Sequence, residues 1–486
     1  MTPRQSPIRH RRVIGLLAVL ALFLTVTSLV GASRPKNVIF IIADDLNCSL
    51  APYGDTTAIT PNLTRLAQDG LVFERAYCQQ AVCNPSRSSF LTGRLPAATG
   101  VDDLRKSFRS ALPEVVTLPQ TFLNAGYFTQ CVGKIFHNMG PTKDRPSWSV
   151  DEYLFEGTHA ADTVFAQTPT PNPKPRYKAP VTEAFEVPAT VYRDGRITER
   201  AVEALRRMKE KDRPFFLAIG YWRPHLPFVA PKRFWDLYDP KTIPLPNPIS
   251  PPERVPQIAL HPNREVHGYG HVPPGPISPE LTRHLRHGYY ASISFLDDQV
   301  GQLLRALEET NLKRDTIVVF TSDHGFHLGE HGLWAKTSNF ERDARVPLII
   351  ADPSKVRSHG RHTRALAELL DLFPTLTELA GLPTPGIQDG HSLAPVLDNP
   401  QTHPKTFART QHQHPFYGST KATHWGYSLR TDRWRYTLWR NIETGTIDAR
   451  ELYDHENDSL ETRNVVEEHN TLIPQLEHIL TNAFQL

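Results

Sequence analysis

Short runs of β-branched and other apolar residues recur along the chain and predict buried strands. In the clearest of them nearly every position is apolar, which is typical of strands covered on both faces of a parallel sheet. These clearest runs span residues 37–43, 214–220 and 316–321, and less regular runs predict further strands over 71–77, 127–132 and 346–351.

Segments with helical spacing alternate with these strands. The helix over 60–70 has Thr60 at the N-cap position, Pro61 at the first helical position and Gly70 as its stop. Further helices are predicted over 86–92, 117–124, 193–211, 280–311 (as one helix or two) and 366–379. Strands that alternate with helices indicate the α/β class, with a large, mostly parallel sheet flanked by helices.

The pattern changes near residue 400. Strands are predicted over 407–411, 425–431, 434–439 and 451–453, with a hairpin turn at Asp432 and a last helix over 468–484. This predicts a small C-terminal antiparallel sheet with one helix. The chain is therefore divided into a large catalytic domain over 34–400 and a C-terminal subdomain over 401–486. Between the predicted elements, the Pro-rich stretches 140–190 and 240–280 predict long structured loops.

The N-terminal segment, residues 1–33, has the features of an export signal. Four arginines precede an apolar run of eighteen residues over 13–30, and small residues follow at Gly31 and Ala32. Because eighteen residues is also near the length that spans a bilayer, an uncleaved membrane anchor is the alternative. Both predict that the body of the protein lies outside the cytoplasm, in a periplasmic, secreted or lysosome-like location.

Composition and charge narrow the classes of partner. The chain has 486 residues, 39% hydrophobic and 22% charged, as expected for a globular protein with an ample core. A formal charge of +3, part of which lies in the N-terminal arm, is too small to predict a nucleic-acid partner. After signal cleavage, no stable membrane partner is expected.

Two pairs of candidate metal ligands stand just past predicted strands. Asp44 and Asp45 follow the first strand, and Asp323 and His324 follow the strand over 316–321. Ligand sites of open α/β sheets lie at the carboxyl ends of their strands. Adjacent carboxylates repel each other unless a cation neutralises them, and oxygen donors suit Ca²⁺ or Mg²⁺. The sequence therefore predicts a metal site here, and the histidine leaves a transition metal open.

The segment 81–94, AVCNPSRSSFLTGR, contains the most specific motif. Its order C-x-P-S-R followed by L-T-G-R resembles the signature of type I sulfatases. The segment GKIFH, with Lys134 and His137, and the segment RPHLPF, with His225, resemble the iduronate-2-sulfatase subgroup, as does GYSLRTDRWRYTLW near the C-terminus. The resemblance covers residue 34 to about residue 466, and it implies an alkaline-phosphatase-like fold.

The resemblance also implies a chemistry. Cys83 would be oxidised by a formylglycine-generating maturation enzyme to formylglycine (3-oxoalanine), whose hydrated aldehyde is the nucleophile. One Ca²⁺ ion, with Mg²⁺ as the less favoured choice, would be bound by residue 83 together with Asp44, Asp45, Asp323 and His324. The remaining candidate catalytic residues would activate the nucleophile, bind the sulfate or protonate the leaving oxygen, and they are Arg87, Lys134, His137, His225 and Lys336. Of the four cysteines, Cys48, Cys78 and Cys131 then remain for at most one disulfide.

The implied reaction is the removal of sulfate from a sulfated carbohydrate, with a 2-O-sulfated uronate as the candidate substrate. Two alternatives belong to other classes. One is a phosphate or phosphonate ester hydrolase of the same superfamily, and the other is a non-catalytic carbohydrate-binding relative. Relative rates on sulfate and phosphate esters would distinguish a sulfatase from the first alternative. The presence of Cys83, Lys134 and His225 argues against the second.

Overall fold

The computed structural model describes residues 36–137, 140–157, 159, 179–211, 213–416 and 421–486. The predicted export signal lies outside these residues. Residues Lys36–Leu486 form one compact unit, and the domain boundary at residue 400 stays a prediction. Among the described residues, no helix has the length and apolar character needed to cross a membrane.

The described chain alternates strands and helices over most of its length. The strands are β1 Asn37–Asp44, β2 Leu71–Tyr77, β3 Phe128–Gly133, β4 Thr182–Glu183, β5 Phe215–Pro224, β6 Phe228–Val229, β7 Thr316–Ser322, β8 His327–Leu328, β9 Trp334–Ala335, β10 Arg345–Ala351, β11 Arg361–Glu368, β12 Phe407–His414, β13 His424–Thr431, β14 Trp434–Asn441 and β15 Ile447–Asp454. The helices are α1 Pro61–Asp69, α2 Cys83–Thr92, α3 Pro96–Thr99, α4 Leu118–Asn124, α5 Arg193–Lys209, α6 Lys232–Trp235, α7 Pro279–Glu309, α8 Glu341–Ala344, α9 Leu372–Leu379, α10 Ala394–Asp398 and α11 Ile473–Phe484.

A seven-stranded sheet with the order β11-β2-β10-β7-β1-β5-β3 forms the centre of the molecule. The pairs β7-β1, β1-β5, β5-β3 and β11-β2 are parallel, whereas β10 runs antiparallel to both of its neighbours. Side chains of β1 alternate between two cores, with Ile39 and Ile41 facing α1, α5 and α7, and Phe40 and Ile42 facing α2, α4 and α9. The predicted mixed, mostly parallel sheet flanked by helices is thus confirmed.

Three local predictions are corrected. The helix expected over 366–379 begins only at Leu372, because residues up to Glu368 form β11, which pairs with β2. Helix α2 begins at Cys83 rather than at residue 86. Pro85 is compatible with this start, because the backbone N–H that proline lacks would have no partner within the helix in the first turn. Thr60 makes no side-chain cap on α1, and Asp297 of α7 accepts the N–H groups at the start of that helix instead.

The C-terminal sheet has the antiparallel order β12-β13-β14-β15. Leu429, Tyr436 and Leu452 on one face pack against Leu476 and Leu480 of α11. On the sheet's other face, Trp439 of β14 and Tyr453 of β15 form a buried cluster with Leu333 and Phe340, which precede the sheet in the sequence. The predicted antiparallel sheet with one helix is confirmed, and the four strands are longer than the sequence indicates.

Glu451 on β15 provides a stability prediction. The Nε1 of Trp439 and the hydroxyl of Tyr453 donate to its carboxylate at 2.8 and 2.7 Å, but burial raises the pKa of Glu451 to about 7. A neutral Glu451 favours the fold below pH 4.5, and this contribution is lost as the pH rises through 7. We expect Glu451→Gln to raise the free energy of unfolding by about 2 kcal/mol at pH 8 and to leave it nearly unchanged at pH 4.5. Urea denaturation at both pH values measures this, and an equal effect at the two values would contradict it.

Candidate active site

The site lies where four neighbouring parallel strands end. Because β7, β1, β5 and β3 are adjacent and parallel, their carboxyl ends meet at one edge of the sheet. Asp44 ends β1 and Asp323 directly follows β7, while Lys134 directly follows β3 and His225 directly follows β5. The sheet order therefore gathers side chains that are far apart in the sequence, as expected for a ligand site of an open α/β sheet.

Cys83 lies at the first residue of α2 and is 2% exposed. Its Sγ is 3.3 Å from the Nε2 of His324. Burial, followed by the nearby carboxylate of Asp44, raises the pKa of the Cys83 thiol well above its usual value. Because the thiolate is the reactive form of cysteine, an unmodified Cys83 is a poor nucleophile in this environment.

Arg87, one turn further along α2, connects three of the strand ends. Its Nε is 2.8 Å from the Oδ2 of Asp323, and its Nη2 is 3.1 Å from the Oδ1 of Asp44. Its Nη1 donates to the main-chain carbonyls of Lys134 and Ile135 at 2.5 and 3.0 Å. The guanidinium is wholly buried, so these contacts fix the positions of both carboxylates relative to Cys83.

Lys134 lies against both Asp44 and an aromatic ring. Its Nζ is 2.6 Å from the Oδ2 of Asp44 and 4.6 Å from the ring centroid of Trp222. Burial alone would raise the pKa of Asp44, but Lys134 and Arg87 outweigh it and hold that pKa well below its usual value. The close approach of the chain needs Gly220, where an added Cβ would lie 1.9 Å from the carbonyl oxygen of Lys134.

Asp45, Lys336 and Glu265 form a second buried cluster. The Nζ of Lys336 is 2.8 Å from the Oδ2 of Asp45 and 2.7 Å from the Oε1 of Glu265. Burial raises the pKa of Asp45 well above its usual value although Lys336 opposes the shift. Asp45 has a φ of 64°, and Ala335 and Thr337 on either side of Lys336 have φ values of 76° and 89°. Left-handed backbone at such residues costs energy and is characteristic of functional sites.

Two histidines complete the candidate set. His225 lies with its Nε2 3.8 Å from Asp45 and 3.7 Å from Glu265, and burial lowers its pKa to about 3. His137 is 6% exposed, and neither of its ring nitrogens has a hydrogen-bond partner among the described residues. Burial, followed by the charge of Lys134, lowers the pKa of His137 to about 2. Both imidazoles are therefore neutral at neutral pH.

The predicted metal ligands fit a divalent cation. Asp44, Cys83, Asp323 and His324 each place one ligand atom within 4.8 Å of the others, and Asp45 forms a second such group with Cys83 and His225. The carboxylates of Asp44, Asp45 and Asp323 are wholly buried. Three buried carboxylates side by side need positive charge near them, and Arg87, Lys134 and Lys336 supply part of it. Oxygen donors in this number suit a hard cation.

The structure joins nearly all the predicted site residues by direct contacts, and the assignment of their roles stays a prediction. Sequence reasoning missed Glu265, which lies in the Pro-rich stretch 240–280, and Trp222, which precedes the RPHLPF segment. A lone acidic residue in a loop carries no motif, and Glu265 is identified by its contacts with Lys336 and His225. All four cysteines are free, so the structure contains no disulfide among Cys48, Cys78 and Cys131.

Comparisons with known proteins decide the family. A family model described as Sulfatase matches residues 36–382. The chain belongs to the sulfatase family. A second model, described as N-sulphoglucosamine sulphohydrolase, C-terminal, matches residues 329–485. The protein is accordingly a sulfuric ester hydrolase, and its similarity extends through the C-terminal sheet.

Known relatives cover this sulfatase over almost its full length. It is 36% identical to iduronate 2-sulfatase of Homo sapiens, with 88% of this chain and 90% of the relative covered. It is 35% identical to iduronate 2-sulfatase of Mus musculus, with 90% and 91% covered. A solved phosphonate monoester hydrolase of Agrobacterium radiobacter has a TM-score of 0.76 at 21% identity, covering 91% of this chain and 94% of that one. That structure shows a shared fold, and the alkaline-phosphatase-like fold class is confirmed.

Proposed function

We propose that this sulfatase uses formylglycine made from Cys83 and one Ca²⁺ ion to remove sulfate from a sulfated sugar. The observation that carries the proposal is the position of Cys83 at the start of α2, 3.3 Å from His324 and within a group of metal-ligand atoms. A thiol with a raised pKa is a weak nucleophile there, whereas a hydrated aldehyde beside a cation needs no thiolate. A matching maturation enzyme is the partner that this modification requires.

The modified residue would supply two hydroxyl groups on one carbon. One would attack sulfur, and loss of the proton of the other would restore the aldehyde by breaking the C–O bond to sulfate, without a second attack at sulfur. Asp44, Asp45, Asp323 and His324, together with residue 83, would hold the ion. Arg87 fixes two of these carboxylates from one buried guanidinium. Its donors therefore keep the ligand set in place while charge moves during the reaction.

Cations and neutral imidazoles have separate tasks in this proposal. Lys134 and Lys336 are buried ammonium groups on either side of the acidic pair, and they would bind nonbridging sulfate oxygens. His137 has two ring nitrogens without a partner among the described residues and would accept the proton of the attacking hydroxyl. His225, with 18% of its side chain exposed, would face the leaving oxygen. Because its Nδ1–H donates to the carbonyl of Leu226, its Nε2 would first take up a proton from solvent and then pass it to that oxygen.

The proposed substrate is a 2-O-sulfated uronate within a polysaccharide. This rests on the two iduronate 2-sulfatases, which share 35% and 36% identity with this chain over about nine tenths of its length. A polysaccharide substrate agrees with the proposed export of the protein, to the periplasm, the exterior or a lysosome-like compartment. The loop between α6 and α7 would then line the sugar pocket, since Glu265 of this loop contacts Lys336.

Rates on matched esters test the proposed function. The protein, co-expressed with a formylglycine-generating enzyme, is assayed on 2-O-sulfated uronate disaccharides and on phosphate and phosphonate monoesters of the same alcohols. We expect kcat/KM to be at least about a hundredfold higher for the sulfate ester, because the site is arranged for that group. Faster hydrolysis of the phosphonate would establish the first alternative. Binding of the disaccharide without any turnover would establish the non-catalytic one.

A further inference from the structure

Trp222 lies between the sulfate-binding candidate Lys134 and a second buried cation. Its ring centroid is 4.6 Å from the Nζ of Lys134 and 4.0 Å from the Cζ of Arg193. Both distances fall within the range of cation–π attraction, in which tryptophan is the most favourable aromatic partner. One indole thus contacts two cations at the margin of the candidate active site.

The backbone around Trp222 is held firmly. The N–H groups of Trp222 and Arg223 both donate to the Oδ1 of Asp194, at 2.8 and 3.0 Å. Asp194 lies in the first turn of α5 and is 1% exposed. The Nε of Arg193 donates to the carbonyl of Gly157 at 2.9 Å. These contacts fix the backbone at Trp222 on α5 and place Arg193 beside the indole, and none of them involves Lys134.

The two sulfate-binding candidates are therefore held in different ways. Lys336 is held by the carboxylates of Asp45 and Glu265. Among the residues that the structure describes, Lys134 instead has the carboxylate of Asp44 and the indole as partners. A carboxylate beside a bound sulfate would repel it. The face of an indole attracts an ammonium group through its quadrupole and carries no net charge. It can orient Lys134 without weakening the binding of an anion.

We propose that Trp222 is a positioning residue, which holds the Lys134 ammonium toward the sulfate group by a cation–π contact. The inference rests on the proposed function, because it assigns Lys134 to sulfate. Trp222 acts through Lys134 and takes no part in bond making or breaking.

Binding of inorganic sulfate, measured by calorimetry on the mature metal-loaded enzyme, tests this role independently of turnover. We expect Trp222→Leu to weaken sulfate binding by about fivefold, and Trp222→Phe to stay within about twofold of wild type, because phenylalanine retains a π face. In a Lys134→Met background, Trp222→Leu should have no further effect. Tyr153→Leu is the matched control, since it removes a cation–π contact with Arg200 at 3.8 Å outside the site, and it should leave sulfate binding unchanged.

Several outcomes would overturn the proposal. Equal losses in Trp222→Leu and Trp222→Phe would show that shape rather than the π face matters. The same loss from Trp222→Leu with and without Lys134 would show that the two residues act independently. If the wild type shows no measurable sulfate binding, the assignment of Lys134 to sulfate binding is wrong. The comparison of ester rates then shows whether the proposed function is also wrong. If the wild type hydrolyses sulfate esters but Trp222→Leu binds sulfate normally, only the role of Trp222 is lost.

Discussion

Replacing Cys83 by serine is expected to lower steady-state sulfate release by at least about a thousandfold while leaving the fold intact. A serine hydroxyl at the start of α2 keeps a nucleophile beside His324, so it can attack sulfur once. It has no second hydroxyl on the same carbon, and the sulfate that it accepts cannot be expelled. The variant should therefore accumulate as a covalently sulfated protein, which intact-mass spectrometry detects together with the rate assay.

Wild-type protein produced without the maturation enzyme is the matched control for this substitution. Its unmodified thiol has a raised pKa, so it should also be inactive, but it should not accumulate sulfate. Peptide mass spectrometry on the segment that contains residue 83 reports the extent of oxidation in each preparation. Full turnover by protein with an unmodified Cys83 would refute the formylglycine mechanism.

The sequence contained enough information to predict the sheet and the acidic half of the site. Apolar runs over β1 and β7 predicted strands buried on both faces, and the polar residues that follow them were expected to meet at one edge. The structure brings Asp44 and Asp323 to the same guanidinium, that of Arg87. This part was predictable because it depends only on the period of the strands and on the rule that parallel strands end together.

Contacts between distant segments were not predictable in the same way. Asp297 of α7 caps α1 in place of Thr60, and no local pattern relates these two helices. The apolar residues of β11 also fit a helical face, and pairing with β2 decided their conformation. Glu265 and Trp222 are recognised as site residues from their contacts with Lys336 and Lys134 in the folded structure. For α1 and β11, tertiary contacts outweigh the local sequence signals.

Arg87→Lys is expected to be the second most damaging substitution, because it keeps the charge but loses the planar fork. One lysine ammonium cannot reach Asp44, Asp323 and the carbonyls of Lys134 and Ile135 together, as the guanidinium does. Leaving a buried carboxylate without its partner costs about 3–5 kcal/mol. The displaced carboxylates should also lower kcat by about a hundredfold.

Arg435→Lys separates the catalytic effect of Arg87→Lys from the effect on stability. Arg435 is also a buried arginine between two carboxylates, 2.7 Å from Glu461 and 2.5 Å from Glu341, but it lies on β14 of the C-terminal sheet. Urea denaturation should give similar losses in the free energy of unfolding for the two variants. The rate per folded molecule should fall only for Arg87→Lys, because only its carboxylates are proposed metal ligands. Equal kcat values for the two variants would show that Arg87 supports the fold of the site without contributing to its chemistry.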